Sequence, residues 1–311
     1  MKNKIQSIHM VQRGTVVMGS RAKIVLALAI TAVLFSCSSG NKPNNETSVP
    51  AEIQPTVVAN DPVTPTEPEQ QPVLEPIQVL GRKQIIEKYS DDVPRKFGER
   101  MDGIISGFIP TGKQIALTLD ACGGSYDRRI TDYLEKKKIR ATLFVSGKWI
   151  DMHEKELKRL SESSLFQIEN HGKSHKPLTS DGRSVYGISG TKDIGEAYDE
   201  VMVNSERIER ITGRSPEFFR SGTAFYDDIS ISMLNDLKVS AAGYTISGDG
   251  GATYSRSRII NIVKGAKPGD IILMHINHPE SDTFDGLVGA IEELLGSGFE
   301  FITMSEAVKN R

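Results

Sequence analysis

The stretch Lys113-Gln114-Ile115-Ala116-Leu117-Thr118-Leu119-Asp120-Ala121-Cys122-Gly123-Gly124 decides how the chain is read. Its apolar run predicts a strand near Ile115–Leu119, and the glycine pair behind it predicts a turn. Packing explains Asp120 poorly, because a charge there leaves an apolar strand and enters a glycine turn. The structural alternative is a helix N-cap or turn residue.

Outward from this point, strand patterns alternate with helical ones. Strands are predicted near Leu119's own run and at 141–145, 165–169, 217–220, 240–246, 270–275 and 300–303. Helices are predicted at 129–138, 153–163, 193–212, 227–237, 257–264 and 285–295, with a short leading helix at 82–89. Strict alternation implies a parallel sheet with helical crossovers. Seven strands fit an open doubly wound sheet or an incomplete barrel. In both, the loops at the carboxyl ends of the strands hold the site. The chemically active residues fall at those ends: Asp120, then His171 and His175, then Arg220, Asp249 and His275. No glycine-rich phosphate loop follows the first strand, so no nucleotide is expected.

Composition narrows the class. With 38 Lys+Arg against 40 Asp+Glu, 38% hydrophobic and 6% aromatic residues, the chain is neither a multi-span membrane protein nor wholly disordered. Charge gives no reason to expect a nucleic-acid partner. Two cysteines do not make a disulfide scaffold.

The amino terminus reads as an address. Residues 1–36 carry Lys2, Lys4, Arg13, Arg21 and Lys23 and no acid. Ile24–Phe35 is apolar except for Thr31 and too short for a bilayer span of about 20 residues. Cys37 follows the small Ser36, which resembles a lipobox, with acylation of Cys37 as the implied outcome. An ordinary cleaved signal with an incidental cysteine is the alternative. Residues 38–76 hold eight of the fourteen prolines, so the segment reads as an extended tether. The expected organisation is a signal over 1–36, a lipidated Cys37 with tether to 80, and a globular domain over 81–311. The expected location is a bacterial envelope, lipid-anchored to a membrane.

Taken singly, the candidate residues are ambiguous. His171 and His175 at i and i+4 share a face if the segment turns helically, which suits a divalent metal; one surface and one core histidine is the alternative. Arg220 must find an anion, and Asp249 is a candidate partner or a turn residue. Ser174 reads as a turn hydroxyl, Trp149 as core or a sugar platform, His153 as surface. His278 reads as groove or exposed surface.

Together, the order Thr118–Asp120, His171–His175, Arg220-Ser221-Gly222-Thr223, Asp249 and Leu273-Met274-His275 resembles the polysaccharide deacetylases, carbohydrate esterase family four, over about 113–308. The resemblance implies a distorted (β/α)7 barrel of the polysaccharide deacetylase type. It implies removal of acetyl groups from an acetylated glycan such as peptidoglycan or a poly-N-acetylglucosamine, with a divalent metal, zinc first among them. It makes Asp120 the catalytic base, His171 and His175 metal ligands and His275 the general acid. Arg220 would orient Asp120, Asp249 would hold Arg220, Leu273 would wall an acetyl pocket and the Thr223 amide would serve the oxyanion.

The chain also departs from the family. The usual second aspartate, a metal ligand, is Ala121 here. Asp120 itself, Cys122 and Asn170 are the candidate substitutes, in that order, while Cys122 as a small residue filling a tight loop is the simpler reading. The Asp-Ala-Cys-Gly-Gly form resembles a recurring subgroup of these deacetylases. The third motif lacks the usual proline and tyrosine. Two rival readings stay open: a catalytically impaired glycan-binding lipoprotein, and a metal hydrolase of another amide or ester.

Overall fold

The computed structural model describes residues 79–309. The signal, Cys37 and nearly all of the tether lie outside the described residues. In chain order the elements are α1 (Arg82–Tyr89), β1 (Phe97–Gly98), β2 (Ile104–Ile105), β3 (Gln114–Ala121), α2 (Arg128–Lys137), β4 (Ala141–Val145), α3 (Gly147–Ser161), β5 (Phe166–Asn170) and α4 (Ile194–Thr212). They continue as β6 (Phe218–Phe219), β7 (Tyr226–Asp227), α5 (Asp228–Asp236), β8 (Ser240–Ala242), β9 (Ile246–Ser247), α6 (Arg256–Val263), β10 (Ile271–His275), α7 (Thr283–Gly296), β11 (Glu300–Ile302) and α8 (Met304–Val308). Among the described residues, no helix is long and apolar enough to cross a membrane.

Strand parity on β3 divides the core. Ile115, Leu117, Leu119 and Ala121 point outward into the main apolar cluster with Leu134, Trp149, Leu157 and Leu287. Ala116 points the other way, into a smaller cluster with Phe144, Phe218, Ala242 and Met304. Asp120, two residues on from Thr118 and four from Ala116, shares that inward face. Trp149 is fully buried, so it is a core residue and not a sugar platform.

The main sheet is parallel, in the order β2-β8-β6-β5-β4-β3-β10-β9, with β11 beside the start of β3. The single strand predicted at 240–246 is two strands, β9 at one end of that order and β8 next to the other, with five strands between them. Only Gly243, Tyr244 and Thr245 separate them. At no more than about 3.6 Å per residue, so short a link cannot span an open eight-strand sheet. The sheet therefore curls, and the architecture is a distorted (β/α) barrel rather than a doubly wound sheet.

Side-chain caps set the helix starts. Asp127, Ser146, Asp193 and Asp227 accept backbone N–H bonds from the first turns of α2, α3, α4 and α5, each worth about 1 kcal/mol. α3 begins at Gly147, well before the predicted His153, because Ser146 caps it there. His153 sits instead at a kink, with φ −133°.

Candidate active site

Asp120 lies inside β3 and not after it. In the parallel pairing of β3 and β10 it stands opposite His275. Both line a cavity of about 350 Å³ with Leu273, Thr223, Tyr186 and Tyr244.

Arg220 follows β6, is fully buried, and is spent on this corner of the barrel. Its Nη1 donates to Asp120 Oδ1 at 2.7 Å and to Thr118 Oγ1 at 2.9 Å. Its Nη2 donates to the Gly243 carbonyl at 2.8 Å. The guanidinium lies 4.1 Å above the Phe144 ring. Burial alone would push the Asp120 carboxyl up; Arg220, then His171 and His275, overcome that and hold it below its ordinary range.

Asp249 does not hold Arg220, contrary to the expectation from sequence. Its Oδ1 pairs with His275 Nδ1 at 2.9 Å and its Oδ2 accepts the His275 N–H at 2.8 Å. The reason is topological: Asp249 leaves β9, the neighbour of β10, and so meets the end of that strand. Burial would lower His275, but Asp249 more than offsets it and holds the imidazole well above its ordinary range.

His171 and His175 come together without a helix. The segment 171–175 is a loop, with Gly172 at φ +82° and His175 itself left-handed at φ +59°. The two rings meet edge to face, 4.8 Å between centroids. His171 Nδ1 lies 2.9 Å from the Arg220 carbonyl. A carbonyl only accepts, so that nitrogen carries a proton and Nε2 is the ring atom turned toward Cys122. His175 Nε2 is buried with no hydrogen-bond partner.

The donor atoms that gather are those of Cys122, His171 and His175, all within 4.8 Å of one another. Asp120 stands just outside this trio, its Oδ2 3.6 Å from His171 Nε2. Cys122 thus lies among the possible metal ligands as well as in a tight loop. Burial works against its thiolate, but His171, with His175 and His275, holds the thiol well below its ordinary range. Asn170 is not part of the cluster: its amide is consumed by Val201, Ser205, Gly172 and Asn204. His278 pairs with Glu280 on a partly exposed turn. Leu273 is buried against the cavity and Thr223 is half-buried at its wall.

Sequence reasoning passed over the groups that hold these loops. Glu200, buried on α4, accepts backbone N–H bonds from Ser174 at 2.8 Å and Lys176 at 3.3 Å, and so shapes the His171–His175 loop. Its signal was available: an acid among Ala197, Val201 and Asn204 on the buried face of a helix. Ser146 donates to the Cys122 carbonyl at 2.8 Å while capping α3. Gly147 is required, since a Cβ there would lie 2.5 Å from the Lys173 carbonyl. Tyr186 is the other omission. It tips a tight hairpin closed by reciprocal Val185–Ile188 hydrogen bonds, is left-handed at φ +53°, and is 75% exposed beside the cavity.

The model for polysaccharide deacetylases matches residues 109–242. Over those residues the chain is similar to the polysaccharide deacetylases. The chain is 25% identical over 195 residues to a bifunctional xylanase/deacetylase of Pseudobutyrivibrio xylanivorans, covering 62% of this chain and 30% of that protein, so it spans under a third of that relative's length. It is 25% identical over 203 residues to the peptidoglycan-N-acetylmuramic acid deacetylase PdaA of Bacillus subtilis, covering 62% of this chain and 71% of the other. The structure of that family 4 carbohydrate esterase superposes with a TM-score of 0.57 at 22% identity, over 73% of this chain and 88% of the other. A family 4 pseudoenzyme from Bacillus anthracis superposes with a TM-score of 0.55 at 23% identity, over 70% of each chain. Another relative is a peptidoglycan-N-acetylglucosamine deacetylase of Bacillus cereus, 22% identical over 213 residues, covering 67% of this chain and 94% of the other.

Proposed function

We propose that the chain is a metal-dependent deacetylase of an acetylated cell-envelope glycan, of peptidoglycan or poly-N-acetylglucosamine type. One observation carries this reading: two adjacent strands present a carboxylate held ionised and an imidazole held protonated, face to face at one cavity. Environments that push two titratable groups apart in this way mark a base and an acid.

The donor set of the loop fits a divalent ion, with His171 turning Nε2 toward Cys122 and His175 presenting an unpartnered buried Nε2. When bound at His171 and His175, such an ion supplies Lewis acidity to an acetyl carbonyl and to water. Asp120 is the base: Oδ1 is committed to Arg220, leaving Oδ2 to take the proton of the attacking water. His275 is the acid. Asp249 fixes Nδ1, so Nε2 delivers a proton to the leaving amine. One water and one amide give acetate and a free amine, and no acyl-enzyme is needed. Leu273 walls the acetyl methyl, and the Thr223 amide lies on the strap that borders the cavity. Tyr186 offers an aromatic face to a sugar ring, as glycan recognition requires.

The location belongs to the same proposal. Signal, acylated Cys37 and tether would hold the domain near its own envelope; Cys37→Ser should shift the protein from the membrane fraction to the soluble one.

Acetate release from acetylated chitooligosaccharides and peptidoglycan, before and after chelation, tests the reading. Metal-dependent acetate from wild type and none from Asp120→Asn is the expected result. Glycan binding with no acetate would favour the impaired, glycan-binding alternative, for which Ala121 speaks: it points into the outer core and cannot supply the family's second carboxylate. Acetate only from unrelated small amides would favour a different metal hydrolase.

A further inference from the structure

We propose that Cys122 is the third protein ligand of the ion, a thiolate standing where the family has a carboxylate, so that the centre selects thiophilic divalent cations. This rests on the reading that His171 and His175 hold a divalent ion.

Three observations carry it. The first is strand parity. Position 121, where the family's second aspartate would fall, faces the outer core through a fully buried Ala121. The next residue turns back toward the histidines. The second is spacing. Bonds of about 2.3 Å to sulfur and about 2.0–2.1 Å to imidazole, at tetrahedral angles, put S and N about 3.6 Å apart. Cys122 Sγ lies 3.5 Å from His171 Nε2, and the three donors lie within 4.8 Å of one another. The third is that the turn is held in place. Ser146 donates to the Cys122 carbonyl and its own N–H bonds the Ala121 carbonyl at 3.1 Å. His153 Nε2 lies 2.9 Å from the Gly124 carbonyl on the far side of the glycine pair.

Asp120 is thereby left to its own task. With Oδ1 on Arg220 it has no need to bind the ion. A soft sulfur ligand beside two imidazoles favours zinc or cobalt over magnesium, manganese or calcium, whose preferred donors are oxygens.

The test is a cobalt(II) titration of the full chain, purified in detergent and stripped of metal, followed by absorption spectroscopy. One equivalent should bind, giving visible ligand-field bands and a near-ultraviolet sulfur-to-cobalt charge-transfer band. Cys122→Ser should lose the near-ultraviolet band and weaken binding by at least about tenfold, since even groups supporting a ligand cost 10- to 100-fold. Asp120→Asn should retain the band. As a measurement that needs no variant, cobalt or zinc should protect wild-type Cys122 from alkylation by iodoacetamide, and magnesium should not. Cobalt bound with visible bands but no sulfur band, or a thiol alkylated equally fast with metal, would overturn the thiolate ligand and leave the metal-dependent reading standing. No cobalt uptake, or uptake that survives His171→Ala together with His175→Ala, would overturn both. An acetyl thioester on Cys122, detected by mass spectrometry of metal-free protein incubated with substrate, would also overturn the ligand role and make the thiol a nucleophile.

Discussion

Asp120 and Glu169 face the interior of one sheet in the same row, on either side of Phe144. Each is 3% exposed. Their electrostatic fates are opposite. Arg220 lies across the Phe144 ring and reaches Asp120, which stays ionised. Glu169 receives neutral donors, the Phe218 N–H at 2.7 Å and the Gln167 amide at 2.6 Å. Burial then dominates and pushes its carboxyl up to about 8. In this row the carboxylate stays charged where a guanidinium is delivered to it. That delivery separates the candidate site from the neighbouring floor.

The largest effect should come from the charged member of the pair. Asp120→Asn should lower kcat for acetate release by about 10²–10⁴-fold, the usual contribution of a general base. Glu169→Gln should leave kcat within about twofold of wild type; an equal loss from both would erase the distinction. Next in size is the guanidinium. Arg220→Met leaves Asp120 buried without its partner, and denaturant unfolding should show a loss of about 3–5 kcal/mol. A neutral outcome would mean that Thr118 and solvent suffice to hold the carboxylate.

Of similar size is a pH effect on stability from Glu169. Its folded-state value lies above its ordinary one, so the native state keeps a proton that the unfolded chain has released. The penalty is absent below about 4.5, grows as pH rises to about 8, and is constant above. Stability should therefore fall across that window, by a few kcal/mol at roughly 1.4 kcal/mol per unit. Glu169→Gln should flatten the slope. Thermal unfolding at a series of pH values checks the sign. The least effect is expected outside the row altogether. Tyr186→Ala should raise KM for glycan substrates about fivefold, near 1 kcal/mol, with kcat unchanged. A fall in kcat with KM unchanged would place Tyr186 outside glycan binding.

Several features were legible without coordinates. The strand at 141–145 and the helix ending at Thr212 begin or end where the sequence placed them, because four apolar residues around a β-branched threonine and a glycine cap are local signals. Asp120, His171, His175, Arg220, Asp249 and His275 were picked out because each is a polar residue at an apolar strand's end, and all of them do converge on one end of the barrel. Their pairing was not legible. Asp249 was assigned to Arg220, yet it serves His275, since only strand order makes β9 the neighbour of β10. The i, i+4 argument expected the two histidines to meet through a helical turn; they meet through a loop.

By itself, then, the sequence determined the alternation of strands and helices, the parallel sheet, and the residue types gathered at the strand ends. Each follows from short-range periodicity and from the expense of placing a polar group at the edge of an apolar run. Tertiary structure alone decided that the sheet curls, through the three-residue link between β8 and β9. It also decided that Arg220 serves Asp120 and that Cys122, rather than Asp120, joins the histidines. These are contacts between residues up to about a hundred positions apart. Distances of 3–4 Å across strands are set by register and pleat, and no local pattern encodes them.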